Sequence, residues 1–177
     1  EKDSIPDSFL SGIVNDQAKD YKRIDRKNKK MFLYNKARID YKDISIEAGE
    51  IIIDYKNKEV IAKGIIDSTD QYVQKPVFNK GGDKVEPDSL RYNFDTKKAL
   101  IHNSITAKNG IQTKGQVAQR ENDSVIYMRD VKFTTAKNVE NADYYFRARK
   151  IKFVPDKGIV SGLVNMYIAD VPTPLGL

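Results

Sequence analysis

His102 is the one imidazole in a chain of 177 residues that has no cysteine. A lone histidine with no second imidazole and no thiolate lacks the partners of a metal site or a nucleophile–base pair. The missing cysteine also excludes disulfide frameworks and thiol catalysis. Carboxylates stand close in sequence at Asp40 and Asp43 and at Glu47 and Glu50. Strand alternation scatters such acids over different surfaces, and acids beside lysine-rich turns are commonly solvent charges. No Ser-His-Asp order, phosphate loop or glycine fingerprint is present. What remains is the chemistry of charge and apolar surface. Residues 1–88 hold 17 Lys+Arg against 17 Asp+Glu, while residues 89–177 hold 14 against 8, which is the whole net charge of +6. A basic half points to an anionic neighbour such as nucleic acid, phosphorylated lipid or a charged membrane. The plain alternative is a solvated surface, because +6 is ordinary for a small domain.

The elements that position these groups read as strands. There are 19 Ile and 13 Val against 7 Leu, with ten Tyr and seven Phe. Side chains branched at Cβ, and aromatics, fit a pleated surface better than a helix. Period-2 alternation runs through Ala37-Arg38-Ile39-Asp40-Tyr41, Ile44-Ser45-Ile46-Glu47-Ala48, Leu90-Arg91-Tyr92-Asn93-Phe94, Val125-Ile126-Tyr127, Val131-Lys132-Phe133, Ile151-Lys152-Phe153 and Tyr167-Ile168-Ala169. Only Phe9 to Ala18 leaves a choice, between a short helix and a first strand. Turn signals at Lys56-Asn57-Lys58, Gly81-Gly82-Asp83, Asp95-Thr96-Lys97, Lys108-Asn109-Gly110, Glu121-Asn122-Asp123 and Pro155-Asp156-Lys157-Gly158 separate the apolar runs. A small residue, strand, polar turn and strand recur at Ala48–Ala62, 87–101 and 148–161, with a weaker copy from Ala18 to Leu33. Each copy is one hairpin, and stacked hairpins bury what one alone cannot. Asp67 to Glu86 and Asn138 to Ala142 break the pattern and read as a long loop and a short insertion. The longest apolar run, Met31 to Tyr34, is too short to span a membrane, and Glu1 to Ser4 lack the start of a secretion signal. The length fits one ordinary domain, and the expected class is all-β.

The stretch Tyr34-Asn35-Lys36-Ala37-Arg38-Ile39-Asp40-Tyr41, followed by Ile44-Ser45-Ile46-Glu47-Ala48-Gly49-Glu50-Ile51-Ile52-Ile53-Asp54, resembles the OstA-like hairpins of lipopolysaccharide-transport proteins. Val131-Lys132-Phe133-Thr134-Thr135, Asp143 to Phe153 and the end Asn165 to Gly176, with Pro172-Thr173-Pro174, are most similar to the LptD family of outer-membrane assembly proteins. The resemblance covers roughly residues 15–177. It implies a β-jelly roll of stacked antiparallel hairpins forming two facing sheets over residues 18–168. Residues 1–17 are then an extension or first edge element, and residues 169–177 a Pro-rich lead into a C-terminal membrane barrel. It also implies a periplasmic position at the outer membrane and lipopolysaccharide as cargo. The implied partners are a bridge of similar jelly rolls at the N-terminal edge from Ala18 to Tyr34, and the barrel with its lipoprotein plug, approached by residues 160–170. Neither a catalysed reaction, nor a cofactor or metal, nor nucleic acid is part of that picture. Many relatives carry Cys after the Thr-Thr pair; here Ala136 follows Thr135, which removes that disulfide checkpoint from this segment.

The chemistry of such cargo sets its own demands. Exposing acyl chains to water costs ~0.8 kcal/mol per CH₂, so a carrier needs a continuous apolar trough. Its expected lining is Ile39, Ile44, Ile46, Ile51, Ile53, Val60, Leu90, Tyr92, Phe94, Val125, Tyr127, Val131, Phe133, Phe146, Ile151, Phe153 and Val160. Arg129, Lys132, Arg147, Arg149, Lys150 and Lys152 are the expected phosphate-binding rim. Alternation alone makes the same apolar residues an ordinary core, and a one-residue slip exchanges the faces. Three rival functions stand beside the conduit. A soluble bridge carrier lacks a use for Pro172 to Pro174. A single-strand nucleic-acid platform needs outward aromatics, whereas these tyrosines alternate with aliphatics. A solenoid enzyme needs aligned acids, and the equivalent repeat positions hold Glu50, Ser89 and Lys150.

Overall fold

A computed structural model describes residues 15–81, 83–108, 110–121, 125–154 and 158–176. These residues are all-β, and no helix occurs among them. In chain order the strands are β1 (Asn15–Gln17), β2 (Tyr21–Asp25), β3 (Lys30–Tyr41), β4 (Ile44–Asp54), β5 (Glu59–Lys63), β6 (Ile65–Ile66), β7 (Tyr72–Val73), β8 (Val77–Lys80), β9 (Asp83–Glu86), β10 (Ser89–Asn93), β11 (Ala99–Lys108), β12 (Ile111–Arg120), β13 (Ile126–Thr134), β14 (Tyr144–Val154), β15 (Gly158–Ser161), β16 (Val164–Ile168) and β17 (Val171–Gly176). They fall into two units. The first runs to Lys84 and includes Ser89–Asp95; the second comprises Val85–Asp88 and the chain from Thr96 onward.

The first unit is built on the long β3–β4 hairpin. One extra residue on β3 between Tyr34 and Ala37 makes a bulge, with Asn35 and Lys36 both left-handed at φ 63° and 48°. On one side of it β2 pairs with residues 30–34 and β5 with residues 50–54, and β10 continues beyond β5. On the other side β1 pairs with residues 38–40 and β8 with residues 44–47. The hairpin therefore belongs to two half-sheets. Phe78 of β8 lies 6.2 Å from Tyr92 of β10, and Tyr41 lies 5.8 Å from Phe94, so the half-sheets face each other. Gln74 fixes the bulge: its side chain accepts from the Lys36 N–H (2.7 Å) and donates to Asn35 (2.8 Å), and its carbonyl accepts from the Gly49 N–H (2.8 Å). A Cβ on Gly49 would stand 2.8 Å from the Ile65 backbone nitrogen, so β6 approaches as closely as only glycine allows.

The inward residues of β4 do not keep one phase. Ile44, Ile46 and Ala48 are buried, and then Ile51 and Ile53. A step of three therefore interrupts the two-residue period at the bulge. The turns of this unit share one chemistry. Asp25 accepts from the N–H and side chain of Asn28 (3.0 and 2.8 Å), and Asp54 accepts likewise from Asn57 (2.9 and 3.0 Å). Each turn is followed by a left-handed lysine, Lys29 at φ 53° and Lys58 at φ 56°.

The second unit has the antiparallel order β11-β12-β13-β14-β16-β17, with β15 beside the C-terminal half of β14. Val85 and Glu86 of β9 pair with Thr106 and Ile105. Left-handed residues stand in mid-strand here also, Asn103 at φ 49° and Asp130 at φ 48°. The register skips these positions, passing from Ile101↔Ala118 and His102↔Val117 to Ser104↔Gly115, and from Met128↔Ile151 and Arg129↔Lys150 to Val131↔Ala148. The inward side steps by three at each skip. Ala169 and Asp170, at φ 46° and 62°, make the two-residue turn between β16 and β17 with the paired positive values of a type I′ hairpin.

Three of the repeat copies form the hairpins β2–β3, β4–β5 and β14–β15, and residues 87–101 contain β10 and the start of β11. The long loop expected from Asp67 to Glu86 instead contains β7, β8 and β9. Its pairing is sustained by short strands whose alternation is too brief to stand out. The Pro-rich segment is also paired, as β17 on β16. The expected element from Phe9 to Ala18 contributes β1 from Asn15; its earlier residues lie outside the described ones, as do the turn residues Gly82, Asn109, Asn122, Asp123, Pro155, Asp156 and Lys157.

Candidate functional site

Residues directly opposite each other on antiparallel strands share a face, so the register identifies an apolar strip across the second unit. Its rungs are Met128–Ile151, Val131–Ala148–Val164 and Phe133–Phe146–Met166. Val131 and Ala148 are fully buried at its centre, while Met128, Phe133 and Phe146 pack against them half-covered. The two phenylalanine rings stack at 5.4 Å. Gly115 lies on the same rung as Val131, and a Cβ there would meet Met128 Cε at 2.8 Å. At one end stand the half-covered pair Ile126 and Phe153. At the other, Tyr144, Ile168 and Val171 share the inward face and are exposed by 37, 51 and 63%. From Ile126 to Phe133 the strip extends roughly 25 Å at the rise of a strand.

The expected lining residues of the first unit have a different setting. Ile39, Ile44, Ile46, Ile51, Ile53, Val60, Leu90 and Tyr92 are all buried, four of them with no solvent exposure at all. Phe94 is half-covered against Tyr92, at 5.0 Å. These side chains are the seam between two facing half-sheets, and the protein itself covers them. In the second unit Val131, Phe133, Phe146, Ile151 and Phe153 lie on the inward face. Tyr127 and Val160 do not. Both pair with Lys152 on the reverse face and are exposed. Val125 precedes β13, where its carbonyl accepts from the Glu121 N–H (2.9 Å). Continuous alternation from Val125 to Phe133 predicts one face for all of them; the left-handed Asp130 resets the phase, so Ile126 and Met128 turn inward instead. Ala148, Val164 and Met166 also line the strip and were not among the expected residues. The available signal was an aspartate and an asparagine, Asp130 and Asn103, in the middle of strand sequence, since these two residue types tolerate the left-handed region.

Five of the six expected rim cations, Arg129, Lys132, Arg147, Lys150 and Lys152, stand behind the strip, not around it. Arg129 is directly opposite Lys150, and Lys132 is opposite Arg147; Arg149 sits at the skipped position across from Asp130. Lys132 Nζ lies 3.9 Å from the centre of the Tyr145 ring. Tyr145 stacks on Tyr167 at 5.0 Å and donates to Asp170 (2.9 Å). Burial, then that hydrogen bond, pushes its phenol above the usual pKa. Arg147 reaches Asp130 at 3.8 Å.

The remaining candidates for chemistry are accounted for by structure. His102 is exposed on β11 and its carbonyl accepts from the Asp88 N–H (2.9 Å). Asp40 takes a bidentate bond from Arg38 (2.8 and 2.9 Å), which holds its carboxyl below the usual range. Glu47 also binds Arg38, and Glu50 pairs with Lys63 at 2.8 Å. Three of the four acids are thus committed to a cation, Asp40 and Glu47 to Arg38 and Glu50 to Lys63. Among the described residues no cluster of three His, Cys, Asp or Glu side chains could hold a metal, and no fully buried side-chain nitrogen or oxygen lacks a partner. No protein-family model matches the chain, and no curated protein matches it in sequence.

Proposed function

We propose that the chain is a lipid-conduit domain: a periplasmic, OstA-like β-jelly roll of the LptD kind, which passes the acyl chains of lipopolysaccharide toward an outer-membrane barrel. The observation that carries this reading is the apolar strip of the second unit. It is continuous, buried at Val131, Ala148, Ile151 and Val164, half-covered at Met128, Phe133 and Phe146, and open at Tyr144, Ile168 and Val171. A surface that holds acyl chains by area, its rungs on β13, β14 and β16 being all apolar, lets them arrive and leave. The reading assigns passage to this strip, because in the first unit the corresponding side chains are already covered and chains would have to part the half-sheets. The bridge protein docks by strand addition along β2, which among the described residues pairs with β3 alone. Lys22 and Arg23 on that edge discourage self-pairing.

The test is photocrosslinking of the full chain to purified lipopolysaccharide. A photoreactive residue at Phe146 or Ile168 is expected to label strongly, and one at Arg147 or Asn165, their neighbours on the reverse face, only at background. Equal labelling from the two faces rejects an internal path.

A further inference from the structure

The reverse face of the second unit carries a charge arrangement that its own contacts do not neutralise. Lys114, Arg129, Lys132, Arg147, Lys150 and Lys152 stand on it, and the single carboxylate within strands β12, β13 and β14 is Asp130. Lys114, Lys132 and Arg147 stand in one rung across the three strands, and Arg129 faces Lys150 in another. Like charges directly opposite each other destabilise a sheet. Asp130 serves Arg147, and Glu140 serves Lys114 at 2.7 Å; Arg129 and Lys150 have no ion pair among the described residues. Beside them Lys152 separates two exposed side chains, Tyr127 and the 64% exposed Val160, all three directly opposite one another on the same face.

We propose that this face docks on an anionic lipid surface, with the cations on lipid phosphates and with Tyr127 and Val160 entering the headgroup layer. Charge complementarity names the occupant's sign, and the outward aliphatic beside an amphipathic ring names a lipid surface over a nucleic acid. Base stacking needs bare rings, but Lys152 lies 5.6 Å over Tyr127, Tyr145 and Tyr167 are stacked on each other, and Lys132 covers Tyr145. This docking uses the face opposite the acyl strip and is independent of the conduit reading.

The experiment is sedimentation of the full chain with phosphatidylcholine vesicles, with and without phosphatidylglycerol, at low and high salt. Binding is expected to the anionic vesicles alone and to fall with salt. The combined reversal Arg129→Glu, Lys150→Glu and Lys152→Glu is expected to weaken binding tenfold or more. A control reversal of equal charge in the first unit, Lys19→Glu, Lys27→Glu and Lys56→Glu, is expected to weaken it much less. Val160→Ser, which leaves the charge unchanged, is expected to weaken it about twofold to fivefold. Circular dichroism checks each variant, with the corresponding Gln substitutions replacing any that misfold. The proposal is overturned by equal binding to neutral vesicles, by no binding, by equal losses in the two reversals, or by tighter binding of single-stranded oligonucleotide than of vesicles.

Discussion

The first unit closes its apolar seam and the second leaves it half open. In the first, Leu33, Ile46, Ile51, Ile53 and Val60 have no solvent exposure, and rings from both half-sheets meet across them. In the second, Val131 and Ala148 are as deep and Ile151 and Val164 nearly so, but Met128, Phe133 and Phe146 beside them are only partly covered, and the strip ends in exposed Tyr144, Ile168 and Val171. Both units use strands that reset their inward phase by a step of three. The same backbone device therefore yields a packed core where bulky branched side chains meet from two layers, and an accessible strip where alanine and glycine occupy the middle rungs.

Truncating equal chemistry in the two units separates these environments. Ile53→Ala should cost about 2–5 kcal/mol, because a covered site cannot collapse around the lost methyls. Met128→Ala should cost only about 1 kcal/mol, since its half-covered chain loses less area and leaves no sealed cavity. Denaturant titration followed by circular dichroism measures both, and equal losses would erase the contrast.

A smaller effect belongs to the turns of the closed unit. Burial pushes the Asp54 carboxyl up, but the donors of Asn57 and the ammonium of Lys30 outweigh it and hold the carboxyl below its usual range. A lowered folded-state pKa gives stability that is present above the ordinary carboxylate range and lost as pH falls through the folded value. Asp54→Asn should therefore cost about 1–2 kcal/mol near neutral pH, with the gap to the parent closing in acid below about pH 4. An unfolding series across pH in which the gap stays constant would show that Asp54 acts without its charge. Smallest is Lys58→Gly. It removes the penalty of a left-handed lysine and should raise the melting temperature slightly, by up to about 1 kcal/mol of stability; a loss would mean that the Lys58 bond to Asp95, at 2.5 Å, contributes more than the backbone costs.

Strand content was plain in the residues because β-branched and aromatic side chains alternate over long stretches, and the hairpin repeat was plain because its turns reuse Asp, Asn and Lys. Part of the inward set of β4 and β14 also followed, since Ile44 and Ile46 alternate with Ser45 and Glu47, and Ile151 and Phe153 with Lys150 and Lys152. The face of β13 did not follow. Ile126, Tyr127, Met128 and Val131 are all apolar, so hydrophobicity gives no phase, and the deciding fact is the backbone angle at Asp130. Short strands such as β7 and β8 were hidden because two to four residues cannot display a period. The basic residues were visible, but their side of the sheet depended on the same phase.

The skipped positions at Asn103 and Asp130 sit across from Gln116 and Arg149 in neighbouring strands, and so form a line running across the hydrogen-bond ladder. Strands sliding past one another by a single residue would put a left-handed corner against a straight partner. The line acts as a key cut into the sheet: each strand fits its neighbour in one alignment, without any need for the side chains to identify it.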